Sequence, residues 1–123
     1  MALNDHFVLD TNAVIYLLND RIASLLPDGK YSVSIVTEME LLSFSGLSAA
    51  EEVKIHELLN LINRLPLSAA VRDQAINLRR KYRLKLPDAI IAASALTEDA
   101  TLLTNDQTFK FIEELKWKSL VLK

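Results

Sequence analysis

The chain has 123 residues, half of them hydrophobic, with 14 Lys plus Arg against 16 Asp plus Glu, a formal net charge of −2 and no cysteine. A disulfide scaffold and thiolate metal centres are thereby excluded, while a chain of this length can bury roughly two-thirds of its unfolded surface in one core. A slightly acidic balance also argues against a partner held by bulk electrostatics, since nucleic-acid binders ordinarily carry a basic excess. No apolar run approaches the ~20 residues of a spanning helix, and Met1 to Asp10 carries an acid before any apolar stretch. The expectation is a soluble cytoplasmic protein without a signal peptide, one domain over residues 1–123.

Gly and Pro are scarce and fall at Pro27-Asp28-Gly29, Gly46, Pro66 and Pro87. In chain order, Phe7-Val8-Leu9 reads as a first short strand and Val33-Ser34-Ile35-Val36 as a second. A helix is expected from about Ser48 to Arg64, with Val53, Ile55, Leu58, Leu59 and Ile62 on its apolar side, Leu61 widening that side, and Ser48 with Glu51 forming a capping box. Pro66 breaks the chain before a second helix from about Ala69 to Tyr82, carrying Val71, Ala75, Ile76 and Leu78. A third helix begins at Pro87 and runs through Ala89 to Leu96, apolar nearly all round and so expected in the middle of the domain. Thr101-Leu102-Leu103 and Leu120-Val121-Leu122 read as further strands. This alternation predicts an α/β fold, a short parallel sheet covered by helices.

Three acids follow the predicted strands: Asp10 after Leu9, Glu40 one turn after Val36, and Asp106 after Leu103; Asp88 opens the apolar helix. In open α/β sheets the carboxyl ends of the strands are where ligands bind, so acids arriving there from separate segments can converge. Converging carboxylates repel unless a cation neutralises them, and an all-oxygen set favours Mg²⁺ or Mn²⁺. Such a site can orient and deprotonate a water for in-line attack on a phosphodiester. His6 precedes a strand and His56 lies within the long helix, so triad chemistry and imidazole metal sites have little support. Each acid also has a structural use. Asp10 can cap the helix containing Ala13 to Leu18, Glu40 can complete a capping box with Thr37, Asp88 can complement a helix dipole, and Asp106 can cap or turn the chain.

Four segments, Val8-Leu9-Asp10-Thr11-Asn12, Ser34 to Leu41, Leu86 to Ala93 and Leu103 to Phe109, resemble the motif segments of PIN-domain proteins, the small VapC-like toxins of type II toxin–antitoxin systems in particular. The resemblance spans essentially the whole chain, in order. It implies a three-layer α/β fold with a central parallel sheet and a metal-dependent endoribonuclease site. Carried over, Asp10, Glu40, Asp88 and Asp106 would be the catalytic, metal-site acids for Mg²⁺ or Mn²⁺, with Asn12 and Thr104 orienting them. Glu38 competes with Glu40; the spacing of Thr37, Glu40 and Leu41 matches the family and favours Glu40. The resemblance further implies an RNA substrate, a cognate antitoxin protein and a homodimer. The helix from Ser48 and its successor could project as a hairpin able to clasp a partner helix.

Arg79, Arg80, Lys81, Arg83 and Lys85 place five positive charges in seven residues just before Asp88, a candidate RNA contact in which Tyr82 could stack on an unpaired base. Lys116-Trp117-Lys118 is a weaker candidate, with Trp117 expected against the sheet edge. Setting the four site acids aside changes the net charge of the remainder from −2 to +2, so slight acidity does not exclude RNA. The alternatives are a non-catalytic PIN-fold module that works by partner binding and a PIN nuclease for RNA processing with no antitoxin. A haloacid-dehalogenase phosphatase is disfavoured because Asn12, not a second Asp, follows two residues after Asp10, and a receiver domain because no middle strand ends in a phospho-acceptor Asp.

Overall fold

The computed structural model describes residues 5–123; the first residues of the Met1 to Asp10 stretch lie outside them. The elements in chain order are β1 (His6–Leu9), α1 (Thr11–Leu18), β2 (Lys30–Ser34), α2 (Ile35–Leu42), α3 (Ala49–Leu59), β3 (Asn63–Leu65), α4 (Ala69–Tyr82), α5 (Leu86–Thr97), β4 (Thr101–Leu103), α6 (Gln107–Lys110) and β5 (Trp117–Lys118). The strands form one parallel sheet in the order β3-β2-β1-β4-β5. The chain leaves central β1 toward β2 on one side and later returns to β4 on the other, which puts the topological switch point at the carboxyl end of β1.

Alternation along the strands divides the core between the two faces. Val8 and Leu102 join Val71, Ala75 and Leu78 of α4 and Ala89 to Ala93 of α5 in one cluster. Phe7, Leu9 and Leu103 join Ala13 and Val14 of α1, Leu41 of α2, and Ile55 and Leu59 of α3 in the other. The result is the expected three-layer α/β arrangement. Among the described residues no helix is long and apolar enough to cross a membrane.

β1, α4 and β4 lie where periodicity puts them, and α5 starts at Leu86, with Pro87 in its first turn and Ala89 to Ala95 buried. Other elements differ. The helix expected to reach Arg64 ends at Leu59, capped by Asn60, and Asn63–Leu65 pairs with β2 as an edge strand. Pro66 biases Leu65 toward extended backbone, and three residues are too few for alternation to show. Val53 and Leu61, assigned to that helix's apolar side, are 55% and 81% exposed. Ile76 also stays outside at 43%. The second strand is Lys30–Ser34 rather than Val33 to Val36, because Ser34 turns to cap α2, its Oγ accepting from Val36 N at 3.1 Å. The last strand is Trp117–Lys118 rather than Leu120 to Leu122; Leu122 forms only an antiparallel bridge with Ile22. Nor do α3 and α4 make a projecting hairpin, since β3 separates them and they pack on opposite faces of the sheet.

Candidate acidic active site

β1 ends at Leu9, so Asp10 stands at the switch point, and Asp106 lies three residues past Leu103, the end of neighbouring β4. Glu40 arrives from α2, which β2 feeds directly, and Asp88 from the first turn of α5. All four acids line one cavity of about 150 Å³, together with Thr11, Asn12, Ile91 and Phe109. The sequence reading missed Thr11 as well as the two apolar wall residues. Ile91 and Phe109 each lie three residues after a site acid, which on a helix brings them to the same side, and that spacing was the available signal.

Asp10 is the most enclosed of the four, 3% exposed. Its Oδ1 accepts from Ala13 N at 2.7 Å, capping α1, and its Oδ2 accepts from the Thr104 hydroxyl. Thr104, fully buried, also accepts from Asp106 N at 3.0 Å, so one hydroxyl ties two of the acids together. Asp106 caps α6 by accepting from Thr108 N at 2.9 Å. The structural uses of Asp10 and Asp106 and their shared cavity are therefore compatible: capping takes one oxygen of each carboxylate.

Glu40 Oε1 accepts from Thr11 Oγ1 at 2.7 Å, and Thr11 Oγ1 lies 3.1 Å from the hydroxyl of buried Thr37. The capping box expected between Thr37 and Glu40 does not form, because Ser34 caps α2 and Thr37 sits within its first turns. The competing acid, Glu38, points elsewhere and accepts from Arg64 Nη1 at 2.8 Å. Asn12 lines the cavity from an exposed position.

Burial is the largest influence raising the Asp10 carboxyl above its usual pKa; the hydrogen bonds from Thr104 and Ala13 oppose the rise, while Asp106 and Asp88 add to it. Asp88 is raised too, first by burial and then by the charges of Asp106 and Glu40, with Lys85 opposing. The acids thus sense one another across the cavity. No trio of His, Asp or Glu among the described residues closes into a ready-made ligand cluster. Four carboxylates lining a cavity large enough for solvent nonetheless have the donor chemistry of a hydrated hard cation, Mg²⁺ or Mn²⁺.

The histidines stand apart from this cavity. His6 bonds Ser32 Oγ at 2.7 Å at the amino end of the sheet, and exposed His56 lies 3.8 Å from Glu52 on α3. The basic stretch occupies the end of α4 and the step into α5, and none of its five cations lines the acidic cavity. Arg79 Nε donates to Leu84 O at 3.1 Å, and Lys81 lies 3.5 Å from Glu114. Arg80, Arg83 and Lys85 are exposed, and Lys85 is the one that influences Asp88. Tyr82 is not the open stacking platform expected. Its hydroxyl donates to Glu114 and accepts from Glu113 N at 3.2 Å, its ring packs on the core, and Lys81 Nζ sits 5.2 Å from the ring centroid. Trp117 does lie on the edge strand, 39% exposed, with Lys110 Nζ 4.9 Å from its ring centroid.

Ribonuclease VapC1 of Haemophilus influenzae (strain R2866) is 28% identical to this chain over 128 aligned residues, covering 91% of this chain and 96% of that protein. Among solved structures, VapBC2 from Rickettsia felis, bound to a DNA fragment from the promoter, superposes with a TM-score of 0.80 at 23% identity, covering 94% of this chain and 99% of that one. That likeness speaks for the fold. A toxin–antitoxin complex from Klebsiella pneumoniae gives 0.74 at 28% identity, covering 88% and 93%. The sequence pattern of the PIN domain matches residues 7–115, a span that begins in β1, ends beyond α6 and contains all four cavity acids. The chain therefore belongs to the PIN domain family.

Proposed function

We propose that this protein is a Mg²⁺- or Mn²⁺-dependent endoribonuclease, the toxin of a toxin–antitoxin pair acting in the cytoplasm. The observation that carries the reading is the cavity at the carboxyl ends of β1 and β4, where Asp10, Glu40, Asp88 and Asp106 face one space without a cationic side chain among its lining residues. The ribonuclease named among its relatives supports RNA as substrate, and the toxin–antitoxin complex among the solved structures supports an antitoxin as partner.

Asp10, Asp88, Asp106 and Glu40 would hold the divalent ion. When bound, that ion supplies charge neutralisation and Lewis-acid polarisation of a phosphodiester. Asp10 cannot swing, because Ala13 N and Thr104 fix both of its oxygens, and Thr11 holds one oxygen of the exposed Glu40. Burial and the charges of Asp106 and Glu40 raise the Asp88 carboxyl in the metal-free site, a repulsion that a bound divalent ion would relieve. Ile91 and Phe109 give the cavity an apolar wall that limits solvent beside the acids. Arg79, Arg80, Lys81, Arg83 and Lys85 hold flanking phosphates; exposed Arg80, Arg83 and Lys85 take most of that role, since Arg79 and Lys81 already have protein partners.

The test is cleavage-end mapping on total RNA with wild-type and Asp10→Asn protein, at matched Mn²⁺. Loss of roughly 100-fold or more in cleavage by a folded Asp10→Asn protein is expected, as several kcal/mol of transition-state stabilisation depends on the site's charge. Full activity in that variant would overturn the reading.

A further inference from the structure

The hydrogen bonds behind Asp10 continue past the acidic cavity to the C-terminal segment. Between Thr104, which bonds Asp10, and Asp106, which bonds Thr104, lies Asn105. A turn asparagine commonly bonds its own backbone two residues on. Asn105 instead commits both ends of its amide to one distant residue: Oδ1 accepts from Leu120 N at 2.7 Å, and Nδ2 donates to Leu120 O at 3.0 Å. On the same edge Leu102 N donates to Lys116 O at 2.9 Å and Thr104 N to Lys118 O at 3.0 Å. The Asn105 side chain thus supplies the next rung where the backbone ladder of β4 and β5 stops.

The segment it grips is itself anchored. Ala23 N donates to Val121 O at 2.7 Å, Lys123 N donates to Arg21 O at 2.8 Å, and the Leu120 side chain packs against the core beneath β1 and β4. We propose that Asn105 is a positioning residue for the acidic site, clamping the Thr104–Asp106 loop to Leu120 so that the Thr104 hydroxyl and the Asp106 carboxylate keep their places beside Asp10. The proposal rests on the nuclease reading above. Only a side chain with a donor and an acceptor at this reach completes both bonds, and a loop released here shifts two of the four acids' supports at once. Displacements near 1 Å in such constellations cost about 100-fold in rate, and loss of a supporting partner about 10–100-fold in metal affinity or activity.

The test compares wild type, Asn105→Ala and the near-isosteric Asn105→Leu, the last keeping the side-chain volume while removing both bonds to Leu120. Each is measured for melting temperature, for Mn²⁺ binding by electron paramagnetic resonance without RNA, and for kcat and KM of RNA cleavage. The expected result is a folded protein with Mn²⁺ affinity and kcat each down about tenfold, KM within about twofold, and kcat partly recovered at high Mn²⁺. If Asn105→Ala does not fold, Asn105→Leu is read by the same criteria. Lower melting temperature with wild-type kcat and Mn²⁺ affinity overturns the positioning role. A wild-type protein that neither binds Mn²⁺ nor cleaves RNA overturns the nuclease reading instead, and with it the ground of the proposal.

Discussion

The two ends of the sheet treat charge in opposite ways. At the amino ends of β1, β2 and β4, a polar cavity is lined by Asp5, His6, Lys30, Glu98, Asp99 and Lys116, charges of both signs that answer one another. Lys116 Nζ lies 3.0 Å from Asp99 Oδ1, and His6 is kept below its ordinary pKa, first by burial and then by Lys30, with Glu98 opposing. At the carboxyl ends, acids and hydroxyls face each other, and burial and mutual repulsion raise Asp10 and Asp88. The same short strands build both ends, so backbone geometry is not the cause of the difference. The amino end is largely compensated within the chain, two lysines facing three acids, while the carboxyl end gathers four acids with no cation among its lining residues. Perturbed carboxylates gathered in a cleft mark a candidate functional site.

The hardest way to break this contrast is at Thr104, whose hydroxyl serves Asp10 and the Asp106 amide together. Thr104→Val keeps the shape and leaves a buried carboxylate oxygen and a backbone N–H without their partner. Urea unfolding should show a loss of roughly 1–3 kcal/mol, and cleavage should fall about 10–100-fold. Thr104→Ser, which keeps the hydroxyl, should recover most of the cleavage. A Val variant with wild-type cleavage would mean that the hydroxyl positions nothing.

A smaller effect separates the two glutamates of α2. Glu40 is directed by Thr11 into the cavity lining, and Glu38 is held by Arg64. Glu40→Gln should reduce cleavage about tenfold, whereas Glu38→Gln should leave cleavage unchanged and alter stability by about 1 kcal/mol or less. Equal losses in the two variants would remove the distinction.

That pair also shows what could be read in the sequence. The spacing of Thr37, Glu40 and Leu41 favoured Glu40, yet nothing in the local pattern revealed that Arg64, far along the chain, would hold Glu38. The three-layer fold and the cavity acids were legible because Asp10 directly follows a strand, Asp88 and Asp106 stand at helix starts, and Glu40 lies on the helix that β2 feeds, signals confined to a few adjacent residues. Features made by tertiary pairing were not. Asn63-Arg64-Leu65 is polar and short, and becomes a strand only because β2 offers it a partner. Leu120 to Leu122 has strand composition, but β4 is already paired by Trp117 and Lys118. Tyr82 looked like an open aromatic until Glu114, brought in by the return from β4, took its hydroxyl.

The like-charge character of the carboxyl end has its own signature in pH. The fold holds the Asp88 carboxyl above its ordinary value of 3.8, so the metal-free native state protonates more readily than the unfolded chain. The associated stability is fully present below that ordinary value, declines as pH rises through the raised one, and stays lost at neutral pH. Asn at this position cannot ionise. In chelator, Asp88→Asn should therefore melt higher than wild type at pH 7, with the advantage shrinking on acidification toward the unfolded-chain pKa. A gap that widens as pH falls would contradict the repulsion described here.

The smallest effect belongs to the compensated end. Lys116 and Asp99 are 57% and 93% exposed, so their pairing is solvent-screened and close in worth to the entropy of holding the long lysine side chain in place. Lys116 Nζ also donates to Asp99 O at 3.0 Å, but in Lys116→Ala water can satisfy that carbonyl. The variant should unfold within about 1 kcal/mol of wild type, with unchanged kcat and unchanged Mn²⁺ affinity. Its salt dependence separates the two ends further: added salt should narrow the already small stability difference, because an exposed pair is screened within a Debye length of roughly 8–10 Å. In metal-free wild type, the same salt should raise stability through the partly enclosed acids of the cavity. A large loss of cleavage in Lys116→Ala would show that the two ends of the sheet are coupled, and the amino end would then have to be counted as part of the site.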